Sequence, residues 1–292
     1  MTVGRWKDGA QCAVMLTFDL DAETLWLAGS LENLDKPGML SHGTYGARVG
    51  TPLILQLLRQ NDIKATFFVP GWTVEQHPDI IEAIRDQGHE LAHHGYLHER
   101  PTELTREQEA EVLVKGIEAL RRITGEAPRG YRSPAWEFSA NTLQLLEEHG
   151  FRYSSNLMSH FLPWQHPDTE IIELPVQWLL DDAPFFLFRS GPGSRPIQPA
   201  AVAYQAWTEE FRGIYHYGGL FNLTMHPQLI GRPGRVLMLQ QVIDFIRSFP
   251  HVWFATGSEV AEYWAQHVRE NPDEGRQGRI YDPVSSSRPL GR

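Results

Sequence analysis

Short apolar runs alternate with amphipathic stretches along the chain. The runs Ala13–Phe18, Ala65–Pro70, Glu90–His94, Gly130–Arg132, Tyr153–Asn156, Ile171–Gln177, Leu220–Thr224 and Trp253–Ala255 read as strands. Between many of them the apolar spacing is helical. Thr51–Gln60 places Leu53, Ile54, Leu57 and Leu58 on one face. Asp79–Gln87 and Thr142–His149 each run into a glycine, a common helix stop. Thr105–Ile123 opens with Thr105 and Gln108, the spacing of a capping box. Gln240–Ser248 and Glu259–Val268 complete the helices. Strand followed by helix, seven or eight times over, predicts an α/β fold with a largely parallel sheet. A barrel related to the (β/α)8 type fits that count, and a doubly wound open sheet is the alternative.

No internal repeat, low-complexity tract or linker divides the chain, so one domain over residues 1–270 and a tail over 271–292 are expected. Three connections look long: Ala22 to Arg48, Leu157 to Glu170 and Leu180 to Pro199. Long loops in compact domains usually carry function. In or beside them stand Trp26, His42, Tyr45, His160, Trp164, Trp178, Phe185 and Phe186. Each alone reads as a loop anchor; together they suggest a pocket wall.

Composition narrows the function. A chain of 33.3 kDa with 41% hydrophobic residues can bury a sizeable core. The net charge of −10, without a Lys/Arg run, argues against a nucleic-acid partner. The single cysteine, Cys12, cannot form an internal disulfide and reads as a buried thiol. No segment approaches the ~20 apolar residues of a membrane span. The first 21 residues lack the pattern of an export signal. A cytoplasmic protein without a membrane partner is the expectation.

The chemistry gathers in GHELAHHGYLHERP, where His89, His93, His94 and His98 fall within ten positions. Both His89/His93 and His94/His98 have the four-residue spacing that lets two imidazoles share a metal. His94 and His98 lie at the C-terminal end of the predicted strand, where barrel enzymes place their chemistry. A Zn-type site needs a third protein ligand. TFDLD offers Asp19 and Asp21, two apart at another strand end and so projecting to one side. One could bind a metal while the other acts on water; an exposed turn pair is the plainer alternative. LTMHP sets His226 at a third strand end, held extended by the following proline. YRSPAW supplies Arg132, able to grip a carboxylate with its two-pronged fork.

TFDLD, HGYLH, YRSPAW and LTMHP, in that order, resemble the motifs of the polysaccharide deacetylase superfamily, the chitooligosaccharide-deacetylase-like hydrolases. The likeness runs from about residue 12 to 265. Within it, VMLTFDLDAETLWL, AHHGYLHERP, YRSPAWEFS and QWLLDDAP are similar to a branch of peptidoglycan-deacetylase-like proteins, cyclic imide hydrolases and allantoinase-like proteins. The resemblance implies a distorted (β/α)7-type barrel. It implies that Asp21, His94 and His98 bind one divalent metal, zinc by preference. Asp19 is then the general base on the attacking water, His226 the general acid for the leaving nitrogen, and Arg132 the group orienting the base. The Ala135 N–H would cradle the oxyanion, and Trp26, Trp136 and Trp178 would line the substrate. The family's usual motif has adjacent aspartates, whereas here Leu20 separates them. A homo-oligomer, a tetramer by analogy with relatives, is also implied.

Metal-dependent hydrolysis of a non-peptide C–N bond is the expected reaction. Cytoplasmic character and the branch resemblance put a small cyclic imide or ureide first. An N-acetylated sugar or cell-wall polymer is the alternative substrate. A non-catalytic metal- or ligand-binding barrel is a third reading, and Asp19 with His226 argues against it.

Overall fold

The computed structural model describes residues 5–188 and 196–271. Among them nine strands build one sheet: β1 (Cys12–Asp19), β2 (Thr66–Val69), β3 (Glu90–His93), β4 (Gly130–Tyr131), β5 (Tyr153–Ser154), β6 (Trp164–Gln165), β7 (Ile172–Glu173), β8 (Leu220–Met225) and β9 (Val252–Phe254). The helices are α1 (Thr24–Leu27), α2 (Pro37–Tyr45), α3 (Thr51–Gln60), α4 (Gly71–Gln76), α5 (Pro78–Asp86), α6 (Arg106–Thr124), α7 (Thr142–Glu148), α8 (Ala183–Phe186), α9 (Ala200–Tyr217), α10 (Pro227–Ile230), α11 (Pro233–Arg247) and α12 (Gly257–Glu270).

The ladder runs β6-β7-β5-β4-β3-β2-β1-β8, with β9 also on β1. Every pairing is parallel except the β6–β7 hairpin. The sheet curls into a half-barrel, and the bridge Asp181–Thr224, with the Leu220 N–H donating to the Phe161 carbonyl, reaches across the seam. This is the expected α/β barrel class in distorted form.

β1 is buried at all eight positions, as a central parallel strand between two apolar layers must be. Its even residues, Cys12 to Phe18, pack with α3, α5, α6, α9 and α11. Its odd residues Ala13 and Met15 face the lumen with Phe68, Ala92 and Tyr153, above α12 and Trp6 at the barrel floor. The two-residue period of a strand therefore sends Thr17 and Asp19 into the lumen. Thr105 and Gln108 form both bonds of the expected capping box at the start of α6.

Four differences from the sequence pattern have physical causes. β6 is a two-residue strand held only by its partner, too short to show a period. α2 lies inside the supposed loop 22–48, its pattern diluted by two glycines. α9 buries Ala203, Trp207, Phe211 and Ile214 at helical spacing, but aromatics on its other faces blur the stripe. α11 starts at Pro233, seven residues before the expected Gln240; its exposed Leu237 interrupts the pattern. The expected tail falls outside the described residues, Asn271 excepted.

Candidate active site

The site grows from the C-terminal ends of β1, β3, β4 and β8. Asp19 is the last residue of β1 and almost fully buried. Arg132 follows β4 and is completely buried in the lumen. Its Nη1 donates to Asp19 Oδ1 at 2.7 Å and to Thr17 Oγ1 at 2.9 Å, while Nη2 donates to Ser155 Oγ at 2.9 Å. The guanidinium lies 4.1 Å from the centre of the Phe68 ring. The expected two-pronged grip on a carboxylate is not formed. One N–H serves Asp19, while Thr17 takes the other Nη1 contact and Ser155 draws Nε and Nη2 to its carbonyl and hydroxyl.

Asp21 is wholly buried, and its backbone carbonyl is pinned by the Thr24 and Thr73 hydroxyls at 2.7 and 2.9 Å. Its Oδ1 lies 3.4 Å from His94 Nε2 and 3.7 Å from His98 Nε2 and has no hydrogen-bond partner. Its Oδ2 accepts from Gln228 Nε2 at 3.3 Å and stands 3.8 Å from His226 Nε2. Burial opposes the Asp21 charge, but His98, His94 and His226 hold its carboxyl well below the usual range.

His94 follows β3 on the lumen face. Its Nδ1–H donates to the Arg132 carbonyl at 2.7 Å, which turns Nε2 toward Asp21 and, at 3.9 Å, Asp19. Against the effect of burial, Asp19 and Asp21 raise its pKa. Gly95, at φ 77°, starts a tight turn whose Tyr96 and Leu97 N–H groups donate to Glu99. That turn delivers His98, itself at φ 62°, with its ring 5.1 Å from that of His94. Burial and the neighbouring imidazole His94 outweigh the pull of Asp21 and bring His98 down to about 4, so its ring is neutral at pH 7.

His226 follows β8 with extended backbone, φ −115° and ψ 121°. Asp182 grips it twice, accepting from the ring Nδ1 at 2.7 Å and from the backbone N–H at 3.0 Å. Burial disfavours the imidazolium, yet Asp182, then Asp181, hold the His226 pKa well above its ordinary value. Burial in turn pushes Asp181 up to about 7, with the Asp182 charge adding to the shift. Sequence reasoning assigns no role to Asp181 or Asp182; the adjacent carboxylates of QWLLDDAP are the available clue.

Of the expected lining residues, Ala135 and Trp136 sit side by side at φ 59° and 60°, a conformation rare for residues with a side chain. Trp136 stacks on Trp178 at 4.5 Å, and Trp178 remains half exposed. Trp26 packs instead on His42 within the segment 24–45. Two aromatics assigned to a pocket wall are anchors: Phe186 belongs to the core, and the Tyr45 hydroxyl donates to the Gly231 carbonyl.

A buried carboxylate oxygen without a partner is costly. Asp21 Oδ1 is such an atom, and one ligand atom each from Asp21, His94 and His98 lie within 4.8 Å of one another. Two imidazoles and a carboxylate suit a divalent transition cation. Asp181, Asp182 and His226 also converge within that distance. There, however, the carboxylates accept from the imidazole and from the Ala183 and His226 backbone N–H groups.

A polysaccharide deacetylase family profile matches residues 7–154. The chain is 34% identical to a peptidoglycan deacetylase of Helicobacter pylori, over 87% of this chain and 95% of that protein. It is 26% identical to a peptidoglycan deacetylase-like protein of Gibberella zeae, over 85% of each. A candidate polysaccharide deacetylase structure from Mycobacterium smegmatis superposes with a TM-score of 0.86 at 42% identity, covering 91% of this chain and 93% of that one. The PuuE allantoinase structure superposes with a TM-score of 0.78 at 26% identity, covering 89% and 92%.

Proposed function

This chain belongs to the polysaccharide deacetylase family, hydrolases of C–N amide bonds, and on that premise we propose that it deacetylates an N-acetylated amino sugar of a cell-wall polymer. The order of substrates expected from the sequence is thereby reversed. The peptidoglycan deacetylase relative is 34% identical against 26% for the allantoinase, at comparable coverage of both chains, and the allantoinase likeness is the support for a cyclic ureide.

Asp21, His94 and His98 would hold one divalent cation, zinc by the chemistry of the donor set. Held there, such a cation would supply Lewis acidity toward an amide carbonyl and water. This chain's own residues do the rest. Asp19, aimed by Arg132, takes the proton of the attacking water. His226, charged and fixed by Asp182, gives a proton from Nε2 to the leaving nitrogen. Transfers of this kind contribute about 10²–10⁴-fold. The backbone N–H of Ala135 donates to the developing oxyanion, and the open face of Trp178 gives a sugar ring an apolar surface.

The observation that carries the reading is a pair of oppositely charged groups on one cluster. Arg132 fixes a base and Asp182 fixes an acid, each through a 2.7 Å contact. The test is acetate release from N-acetylglucosamine oligomers by the zinc-loaded protein, beside ring opening of succinimide and allantoin, with and without chelator. Chelator-sensitive acetate release is expected. Ring opening alone would restore the imide reading, and no turnover of any of them would favour a binding barrel.

A further inference from the structure

Gln228 is almost completely buried, yet only half of its amide is satisfied. It sits in α10, the short helix directly after His226. Its Nε2 donates to Asp21 Oδ2 at 3.3 Å, and its Oε1 has no partner. A buried amide left half-satisfied is costly, so packing alone does not account for it.

The two oxygens of Asp21 have different neighbours. Oδ1 faces the His94 and His98 rings, whereas Oδ2 faces Gln228 at hydrogen-bond distance and the His226 ring at 3.8 Å. Rotation about the last bond of an aspartate is soft and nearly two-fold. Without a donor on one side, the carboxylate could present either oxygen, or both, to a cation. His226 Nε2 lies too far from Oδ2 to hydrogen-bond it, so the donor that breaks that symmetry is the Gln228 N–H. A flipped amide would set Oε1 against a carboxylate oxygen, so the orientation seen is the attractive one.

The position of Gln228 is enforced by the segment over the barrel mouth. A Cβ on Gly46 would come within 2.9 Å of Gln228 N and 3.1 Å of its Cβ and Oε1. Only glycine lets the turn at residues 46–50 lie this close to α10. The Tyr45 hydroxyl bonds the Gly231 carbonyl at 2.9 Å and closes the same contact.

We propose that Gln228 is a positioning residue for the metal centre: its N–H holds the outer oxygen of Asp21, so that the inner oxygen is offered to the cation, and Gly46 keeps the amide in place. This rests on the reading of Asp21, His94 and His98 as metal ligands. Groups that orient ligands from behind are worth about 10–100-fold in metal affinity.

The experiment compares the full chain with Gln228→Met, which keeps length and loses the donor, and with Gly46→Ala. Zinc affinity is read by competition with a chromophoric chelator, cobalt coordination by its visible spectrum, and the metal-free fold by melting. Gln228→Met should bind zinc about 10–100-fold more weakly, with an altered cobalt spectrum and no loss of metal-free melting temperature. Gly46→Ala should show a smaller loss in the same direction. Zinc affinity within twofold of the parent, with an unchanged cobalt spectrum, overturns the proposal. Should Gln228→Met not fold, Gln228→Asn, too short to reach Asp21, takes its place under the same criteria. A parent chain that binds no zinc would instead overturn the metal site itself.

Discussion

His93 and His94 are adjacent, both fully buried, and opposite in chemistry. His93 ends β3 on the face turned to α6. Its Nε2–H donates to the Leu113 carbonyl at 3.2 Å, and its Nδ1 accepts from the Gly95 N–H at 3.1 Å. Tyr131 and Phe151 pack on its ring, and Gly116 leaves no room for a side chain above it. Burial drives its pKa down to about 3, so it is a neutral, satisfied part of the core. His94 turns to the lumen, where Nε2 meets two carboxylates and its pKa rises. Burial is common to both and therefore does not explain the difference. The two-residue period of the strand decides it, by aiming one ring at aromatic packing and its neighbour at Asp19 and Asp21. His89 shares only the neutrality: its Nδ1 accepts from the Ala65 N–H and burial lowers its pKa to about 4, while its Nε2 has no hydrogen-bond partner.

That contrast is open to direct attack. The largest effect should come from His94→Ala, which is expected to empty the metal site, whereas His93→Phe retains metal; zinc per chain measured by atomic emission checks both. Next, Asp19→Asn should lower kcat by about 10²–10⁴-fold with zinc stoichiometry unchanged; parallel loss of metal would mean that Asp19 is a ligand rather than the base. Asp182→Asn bears on the acid. As the proposed acid His226 must be protonated, and its raised pKa favours that form as pH climbs. Removing the Asp182 charge should therefore move the alkaline limb of kcat/KM to lower pH, and an unmoved limb would exclude His226 as the acid. The smallest catalytic effect is expected from His93→Phe. It should cost about 1–3 kcal/mol of stability, read by urea unfolding, because the Leu113 carbonyl loses its donor, while kcat stays within a few-fold.

How much of this was legible in the sequence depended on the range of the interactions. β1 was plain because eight buried positions leave a continuous apolar run. Asp19, Asp21, His94, His98, Arg132 and His226 could each be marked because they stand at strand ends, and the structure gathers all six at one lumen. Gln228 and Asp182 could not be marked in the same way. Their partners lie 207 and 44 residues away, and no local pattern predicts such contacts. The same holds for Ser155 and Thr17, whose claims on Arg132 prevent the two-pronged grip on Asp19. α9 illustrates a different limit. Its stripe is present, but off-stripe aromatics such as Tyr215, which packs on Phe249, obscure it.

The central claim is that one cation sits between Asp21, His94 and His98, with Asp19 and His226 beside it. Anomalous diffraction at the zinc edge, from crystals grown with zinc, addresses it most directly. The account predicts one strong peak about 2.0–2.2 Å from Asp21 Oδ1, His94 Nε2 and His98 Nε2. A peak at Asp181, Asp182 and His226 instead, or none in the lumen, would contradict it.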